Sequence, residues 1–172
     1  MKICKIFCLV CLLTSFSVTA FASKYELNLS AAKGSANTGV LVLGVKRNYN
    51  PWLTRGNFSI VPSVGINSFL FMSNSYSEVY GINLVGGLTF NLSPKVYLFA
   101  SSGPAYISND FIAKRWTNSN FHFSTTAALG FNLDRKMKHG LEIFVTHFSH
   151  AHIKGKYNDG YNLYGLAYKY RI

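Results

Sequence analysis

The tripeptide His147-Phe148-Ser149 puts an imidazole and a hydroxyl two residues apart. On a β-strand, side chains two residues apart project from the same face, roughly 7 Å from each other along the backbone. A histidine that near can take the proton of a serine hydroxyl and turn the serine into a nucleophile. The alternative is a pair of interfacial polar residues at the end of a strand. The two residue types alone leave both interpretations open.

Two further histidines, His150 and His152, follow this pair and raise the alternative of a metal site shared with His147. If the strand continued, these two side chains would lie on the face opposite His147. A position in a loop is the preferred interpretation. We therefore expect no metal ion and no other cofactor.

A strand is the element that must position the pair, and the chain has a strand pattern from residue 25 to its end. Apolar residues alternate with polar or small ones at a period of two, as in Tyr80, Ile82 and Leu84. A longer polar stretch at residues 108–120 predicts an outer loop. Eight strands are predicted, near residues 25–31, 41–45, 58–66, 80–92, 96–106, 121–133, 139–149 and 164–172.

Parity along the seventh strand decides which way the candidate residues face. His147 and Ser149 share a face with the three apolar residues that precede them, Leu141, Ile143 and Val145. In a barrel this is the lipid-facing side, and Phe148 and Glu142 then point to the interior. A polar pair that faces hydrocarbon costs free energy unless it has a partner or a function.

The first residues predict export. Lys2 and Lys5 flank the start of an apolar run at residues 6–13, and Ala20-Phe21-Ala22 matches the small-x-small pattern that signal peptidase reads. Cleavage is expected before Ser23, so residues 1–22 are predicted to be a signal peptide for Sec-type export. Residues 23–172 then form one domain. All three cysteines lie in the first segment, which leaves the domain without thiol chemistry.

Composition narrows the class of protein. Aromatic residues make up 16% of the chain and charged residues only 13%, and residues 23–172 contain no apolar run of membrane-helix length. A soluble β-sandwich is the alternative, although it would carry more charge on its outer faces. Short strands that alternate apolar-out and polar-in are typical of the smallest outer-membrane barrels. The predicted fold is all-β, an eight-stranded antiparallel transmembrane β-barrel of the bacterial outer membrane.

Charge and topology indicate the surroundings of such a barrel. The formal charge of +11 favours anionic lipid headgroups over nucleic acid as the partner of an exported protein. With both termini in the periplasm, the seventh strand ends toward the cell exterior. The outer leaflet there contains lipopolysaccharide, whose lipid A phosphates are anionic.

Three stretches resemble the PagL-type outer-membrane lipid A 3-O-deacylases, and together they cover residues 96–172. The N-terminal half agrees only in its strand pattern. The resemblance implies an esterase of the outer membrane that acts on lipid A. The stretches are Ala100-Ser101-Ser102-Gly103-Pro104-Ala105-Tyr106-Ile107-Ser108, then Phe121-His122-Phe123 with Ala128-Leu129-Gly130-Phe131, then His147-Phe148-Ser149 with Asn158-Asp159-Gly160.

The resemblance also implies roles for individual residues. Ser149 is the nucleophile and His147 its base, and the oxyanion is stabilised by Asn158 and a backbone N–H near Ala151. The position that often holds a glutamate as third triad member is Asn162 here, and Asp159 is the alternative acid.

Two other functions stay open at this point. One is a non-catalytic or inactivated small barrel with a structural or adhesion role, and the other is a general phospholipase. A homodimer is compatible with the sequence and is not specified by it.

Overall fold

The computed structural model describes residues 24–34, 38–72, 79–109, 111–112, 115–116, 119–150 and 160–172. These residues form an all-β structure, and within them no helix is long and apolar enough to cross a bilayer. The strands are β1 (Lys24–Gly34), β2 (Gly39–Asn48), β3 (Leu53–Arg55), β4 (Phe58–Met72), β5 (Val79–Asn91), β6 (Val96–Ile107), β7 (Phe111–Ile112), β8 (Arg115–Trp116), β9 (Phe121–Asn132), β10 (His139–Ser149) and β11 (Tyr161–Arg171).

Eight of these strands close into an antiparallel barrel in the order β1, β2, β4, β5, β6, β9, β10, β11. The ring closes through the pairing of β11 with β1, where Leu29 lies opposite Tyr168, and each strand also pairs with its neighbour along the chain. Among the described residues, closure leaves the eight barrel strands without an unpaired edge, which a lipid environment requires because hydrocarbon offers no hydrogen bonds. The predicted eight-stranded barrel is confirmed.

Three short strands depart from the predicted pattern. Strand β3 forms a small hairpin with the start of β4, in a stretch where no strand was predicted. Strands β7 and β8 pair with each other inside the stretch predicted to be an irregular loop. Strand β11 begins at Tyr161, three residues earlier than predicted, because Tyr161 and Leu163 bury their side chains in the lumen.

The two ends of the barrel differ in their connections. We call one the terminal end, where β1 begins and β11 ends and where the segments 49–57, 92–95 and 133–138 lie. The opposite end is the loop end, which includes the described residues Thr38, Ser108, Asn109, Ser119, Asn120, His150 and Gly160. In the 133–138 turn, a carboxylate oxygen of Asp134 accepts the backbone N–H of His139 at 2.8 Å. That hydrogen bond lowers the pKa of the Asp134 carboxyl and fixes the start of β10.

The outer wall is apolar, as the alternation predicts. Strand β10 shows the pattern clearly, because Leu141, Ile143 and Val145 are exposed while Glu142 and Phe144 are buried. Exposed aromatic residues accompany this wall toward both ends, as in the girdles of membrane barrels. They include Tyr49, Trp52 and Tyr168 toward the terminal end, and Tyr106, Phe121 and Tyr164 toward the loop end.

The lumen corrects the simple expectation of a polar interior. Toward the loop end it is filled by apolar and aromatic side chains, and the ring of Phe148 packs edge-on against Phe69 with centroids 5.2 Å apart. Dense packing here excludes water and fixes the inward side of β10. The buried members of this cluster are Val40, Val42, Phe69, Phe71, Val79, Ala105, Ile107, Phe148, Tyr161 and Leu163.

Toward the terminal end the lumen instead holds a charged cluster. Glu26, which is 1% exposed, lies 2.9 Å from Lys46, 3.3 Å from Lys169 and 2.7 Å from Arg171. Glu142 lies 3.0 Å from Lys169, which confirms its predicted inward orientation. A cavity of about 50 Å³ remains between this cluster and the apolar one. That volume suits a few water molecules, so the lumen is a packed core.

Candidate active site

Strand β10 presents His147 on the outer wall. The side chain of His147 is exposed, as are those of Val145 and Ile143 before it, whereas Phe148 is 1% exposed and lies in the lumen. Ser149, half-buried, follows two residues later as the last residue of the strand. The predicted parity is confirmed, because the packed aromatic lumen leaves only the outer side of the strand for the polar pair.

The site lies at the loop end of the barrel. Ser149 pairs across the sheet with Phe123 of β9, and His147 pairs with Thr125. The exposed rings of Phe121 and Tyr106 pack edge-on 5.3 Å apart on the neighbouring strands. The polar pair therefore stands at the border between an apolar wall and the loops, and it opens sideways rather than into the lumen.

Asn162 is the partner of the His147 ring. The two residues lie directly opposite each other on β10 and β11, and Nδ1 of His147 is 2.7 Å from Oδ1 of Asn162. An amide oxygen can only accept, so Nδ1 carries the proton in this bond. Nε2 is then the unprotonated nitrogen of the neutral ring, which is the form that can accept a proton from a hydroxyl.

Gly160 fits closely under the same ring. Its φ of 54° lies in the left-handed region, where residues with a side chain are strained. A Cβ at this position would meet Cε1 of His147 at 2.7 Å and Nε2 at 3.3 Å. The chain therefore needs a glycine here for two reasons, to turn into β11 and to leave room for the imidazole.

A row of polar side chains crosses the outer wall through His147, which sequence reasoning did not find. Ser102, Thr125, His147 and Asn162 are successive cross-strand partners on β6, β9, β10 and β11. The hydroxyls of Ser102 and Thr125 are 3.0 Å apart and both side chains are exposed. The signal in the sequence was a polar residue at an outward position of each strand, but only the register shows that these positions align.

Comparison with known proteins identifies the family. The sequence model of the lipid A 3-O-deacylase (PagL) family matches residues 42–171. The chain belongs to this family. The match extends the resemblance well beyond residues 96–172, and it shows at family level an outer-membrane hydrolase of lipid A. No curated protein sequence matches the chain significantly.

Solved structures agree on the fold. The crystal structure of the outer membrane enzyme PagL matches with a TM-score of 0.74 at 14% identity, covering 86% of this chain and 99% of that chain. The N-terminal β-barrel domain of Pseudomonas aeruginosa OprF matches with a TM-score of 0.56 at 11% identity, covering 87% and 97%. A chain from the de novo design of transmembrane β-barrels gives 0.50 at 13% identity, covering 89% and 98%. At these identities the likeness shows an outer-membrane type of barrel.

Two buried histidines, His122 and His150, lie on the lumen side of the wall behind the candidate site. His150 is buried directly after β10, and its ring centroid lies 6.5 Å from that of His122 on β9. Strand β10 ends at Ser149, so His150 lies outside the strand, as preferred from the sequence, and its buried side chain is on the other side of the wall from His147. Among the described residues, no group of three or more His, Cys, Asp or Glu side chains could hold a metal ion.

The predicted signal peptide, residues 1–22, lies outside the described ranges, and so do four residues named near the candidate site. They are the oxyanion candidates Ala151 and Asn158, the alternative acid Asp159, and His152. Their roles therefore stay predictions.

Proposed function

We propose that this chain removes the 3-O-linked acyl chain of lipid A, with Ser149 as nucleophile and His147 as general base. The observation that carries this proposal is the 2.7 Å hydrogen bond between His147 Nδ1 and Asn162 Oδ1 on the outer wall. His147 precedes Ser149 by two residues on the same strand. The hydrogen bond fixes the tautomer of an exposed imidazole beside a hydroxyl. Membership in the lipid A 3-O-deacylase family supplies the substrate class.

The reaction follows from these groups. Nε2 of His147 accepts the proton of the Ser149 hydroxyl as the serine oxygen attacks the ester carbonyl carbon. The tetrahedral intermediate collapses when the bond between that carbon and the sugar's 3-oxygen breaks, and His147 returns the proton to the departing oxygen. The acyl chain is then esterified to Ser149. A water molecule deprotonated by His147 releases it as a fatty acid and restores the serine.

The negative oxygen of each tetrahedral intermediate needs hydrogen-bond donors. Such donors supply one of the largest electrostatic contributions in acyl transfer. We assign this role to the side-chain amide of Asn158 and the backbone N–H of Ala151, on the resemblance to the family. Along the sequence, Ala151 directly follows His150, and Asn158 precedes Gly160 by two residues.

Asn162 acts in this proposal as the residue that orients the imidazole. An amide can hold the ring and fix its tautomer, but it adds no negative charge opposite the imidazolium that forms during the reaction. The same departure from a carboxylate supports a second candidate, an inactivated family member that keeps the barrel without the chemistry. If the chain is an active deacylase, Asp159 is the alternative acid.

The substrate reaches the site laterally. Loop-end positions of outer-membrane barrels lie toward the cell exterior, and lipid A occupies the leaflet there. Its acyl chains already lie against the apolar wall that includes Ile143 and Val145. The cavity between the two lumen clusters measures about 50 Å³, so an acyl chain does not fit there, and from the outer wall it does not need to enter the barrel.

Mass spectrometry of lipid A tests the proposal. Lipid A from cells that express the wild-type chain should lose the mass of one 3-O-linked acyl group, and lipid A from cells with Ser149→Ala should not. Ser68→Ala is the matched control, since Ser68 is an outer-wall hydroxyl on β4, away from the site. Unchanged lipid A with a folded wild-type barrel would favour the inactivated family member.

A further inference from the structure

Ser102 and Thr125 form one arm of the polar row through His147, and apolar residues flank each of them along its own strand. On β6 the outward neighbours are Ala100 and Pro104, and on β9 they are Phe123 and Ala127. The only hydrogen bond of either hydroxyl among the described residues is the one between them, at 3.0 Å. Polar groups in this position are costly in lipid. We therefore expect the hydrogen-bonding capacity that the pair does not use internally to be taken up by a ligand.

The pair has hydrogen-bonding capacity to spare. In an O–H···O bond one hydroxyl donates its proton and the other accepts, which leaves the second proton free. Ser102 and Thr125 can therefore donate one hydrogen bond to a ligand and accept others. This neutral donor and acceptor suits an amide or an ester, whereas phosphate is recognised in proteins mainly by Arg or Lys.

The register fixes where such a ligand group would be. Thr125 lies directly opposite His147, and Ser102 directly opposite Thr125. Side chains opposite each other on antiparallel strands are about 5 Å apart. Thr125 is therefore one strand spacing from the imidazole, and Ser102 lies one strand further from Asn162. Beyond Ser102 the outer wall has free space, since a Cβ at its cross-strand partner Gly86 would meet nothing within 4 Å.

We propose that the Ser102–Thr125 pair hydrogen-bonds the amide linkage of the acyl chain next to the one that is cleaved. This rests on the proposed deacylase function and adds a specificity determinant to it. In a 3-O-acylated, 2-N-acylated glucosamine the amide and the scissile ester hang from neighbouring ring carbons. An ester carbonyl at Ser149 and His147 then leaves the amide about one strand spacing away, over Thr125. The pair would hold the sugar so that its 3-O-ester, and not another ester, faces the serine.

The experiment compares two substrates in detergent micelles. One is a glucosamine phosphate with a 3-O-acyl and a 2-N-acyl chain, and the other is the same compound with hydrogen in place of the 2-N-acyl group. The measured quantity is the ratio of kcat/KM for the first substrate to that for the second. Thr125→Val, which keeps the shape and deletes the hydroxyl, and Ser102→Ala should each lower this ratio by about 5- to 10-fold, through KM for the amide substrate.

The controls separate this inference from the proposed function. Ser68→Ala, which removes an outer-wall hydroxyl on β4, should leave the ratio as in the wild type. An unchanged ratio in both variants, or an equal loss on both substrates, would overturn the assignment of the pair. If the wild type cleaves neither substrate, the failure is that of the deacylase proposal. Retained heat-modifiability in gels shows that each variant has folded.

Discussion

Two polar clusters of this barrel sit in apolar surroundings and are built in opposite ways. In the lumen cluster, Glu26 lies within 3.3 Å of three cations, and Glu142 lies 3.0 Å from one of them, Lys169. On the outer wall, the row that runs through His147 is exposed except for the half-buried Asn162. It contains two hydrogen bonds, one between the hydroxyls of Ser102 and Thr125 and one between His147 and Asn162.

The two clusters differ in charge and in the surroundings that their side chains face. In the lumen cluster each charged side chain has an oppositely charged partner inside the protein, and Arg171 also donates to Asn132 at 2.6 Å and to the Met137 carbonyl at 2.8 Å. Such a cluster serves folding, because losing one member strands the others. The outer row keeps donors and acceptors that face the membrane, which is where a substrate arrives. We therefore associate the paired charges of the lumen with folding and the outer row with the proposed function.

The largest expected effect comes from the outer row. Ser149→Ala and His147→Ala should each lower the rate of lipid A deacylation by at least about 10³-fold, because the two residues act as one unit. For the same reason the double variant should be no slower than either single one. The rates are measured by fatty-acid release from purified lipid A.

Both variants should keep the heat-modifiable gel shift of the wild type, since neither residue belongs to the lumen core. Loss of that shift in Ser149→Ala would break the division between structural and functional polarity. Additive losses in the double variant would instead mean that His147 and Ser149 work independently.

The second effect is on stability and concerns the lumen. Glu26→Gln keeps the volume of the side chain but leaves Lys46 and Arg171 without their carboxylate. Breaking a buried ion pair from one side costs about 3–5 kcal/mol. We expect a corresponding drop in the free energy of unfolding, measured by urea titration of the barrel in lipid vesicles.

Lys136→Gln is the control for that titration, because Lys136 is exposed in the turn between β9 and β10. It should shift the unfolding free energy by no more than about 0.5 kcal/mol. If Glu26→Gln were as mild as this control, the lumen cluster would not be the structural element that its ion pairs indicate.

The third effect concerns Gly160, where one substitution should change both stability and kcat. Gly160→Ala must strain a backbone with φ of 54° and push a Cβ to 2.7 Å from the His147 ring. The strain costs about 1–3 kcal/mol of stability. The displacement of the His147 ring should also lower kcat. Urea titration and fatty-acid release measure the two consequences separately.

Gly56→Ala separates the two causes. Gly56 has a similar φ of 59°, but a Cβ there would meet nothing within 4 Å. It should reproduce the loss of stability and leave kcat unchanged. An equal loss of kcat in both variants would mean that the contact between Gly160 and the imidazole has no role in the reaction.

The sequence allowed the outer wall to be predicted better than the lumen. Period-two alternation specifies which side of a strand faces lipid, so the outward positions of His147 and Val145 followed from the residues alone. The lumen mixes Phe148 with Glu142 on the same inward face, and no single hydrophobic pattern predicts such a mixture. The ion pairs of Glu26 join strands far apart in the chain, and the alignment of Ser102 with Thr125 and His147 depends on register, which a single strand's pattern does not contain.

The smallest expected effect concerns Asn162 and decides how much the row depends on its one bond to the imidazole. A neutral hydrogen bond contributes about 1 kcal/mol, so Asn162→Ala should lower kcat by about 5- to 10-fold and leave the barrel folded. Asn162→Glu restores a carboxylate opposite the ring and should preserve or raise kcat, because a charge stabilises the imidazolium that an amide can only orient. Asn91→Ala is the matched control, since it deletes an amide that bonds Ser59 at 2.8 Å near the terminal end. A silent Asn162→Ala together with a large loss in Asp159→Ala would move the third role to Asp159. In that case the 2.7 Å hydrogen bond between His147 and Asn162 would serve only the structure, as the ion pairs of the lumen cluster do.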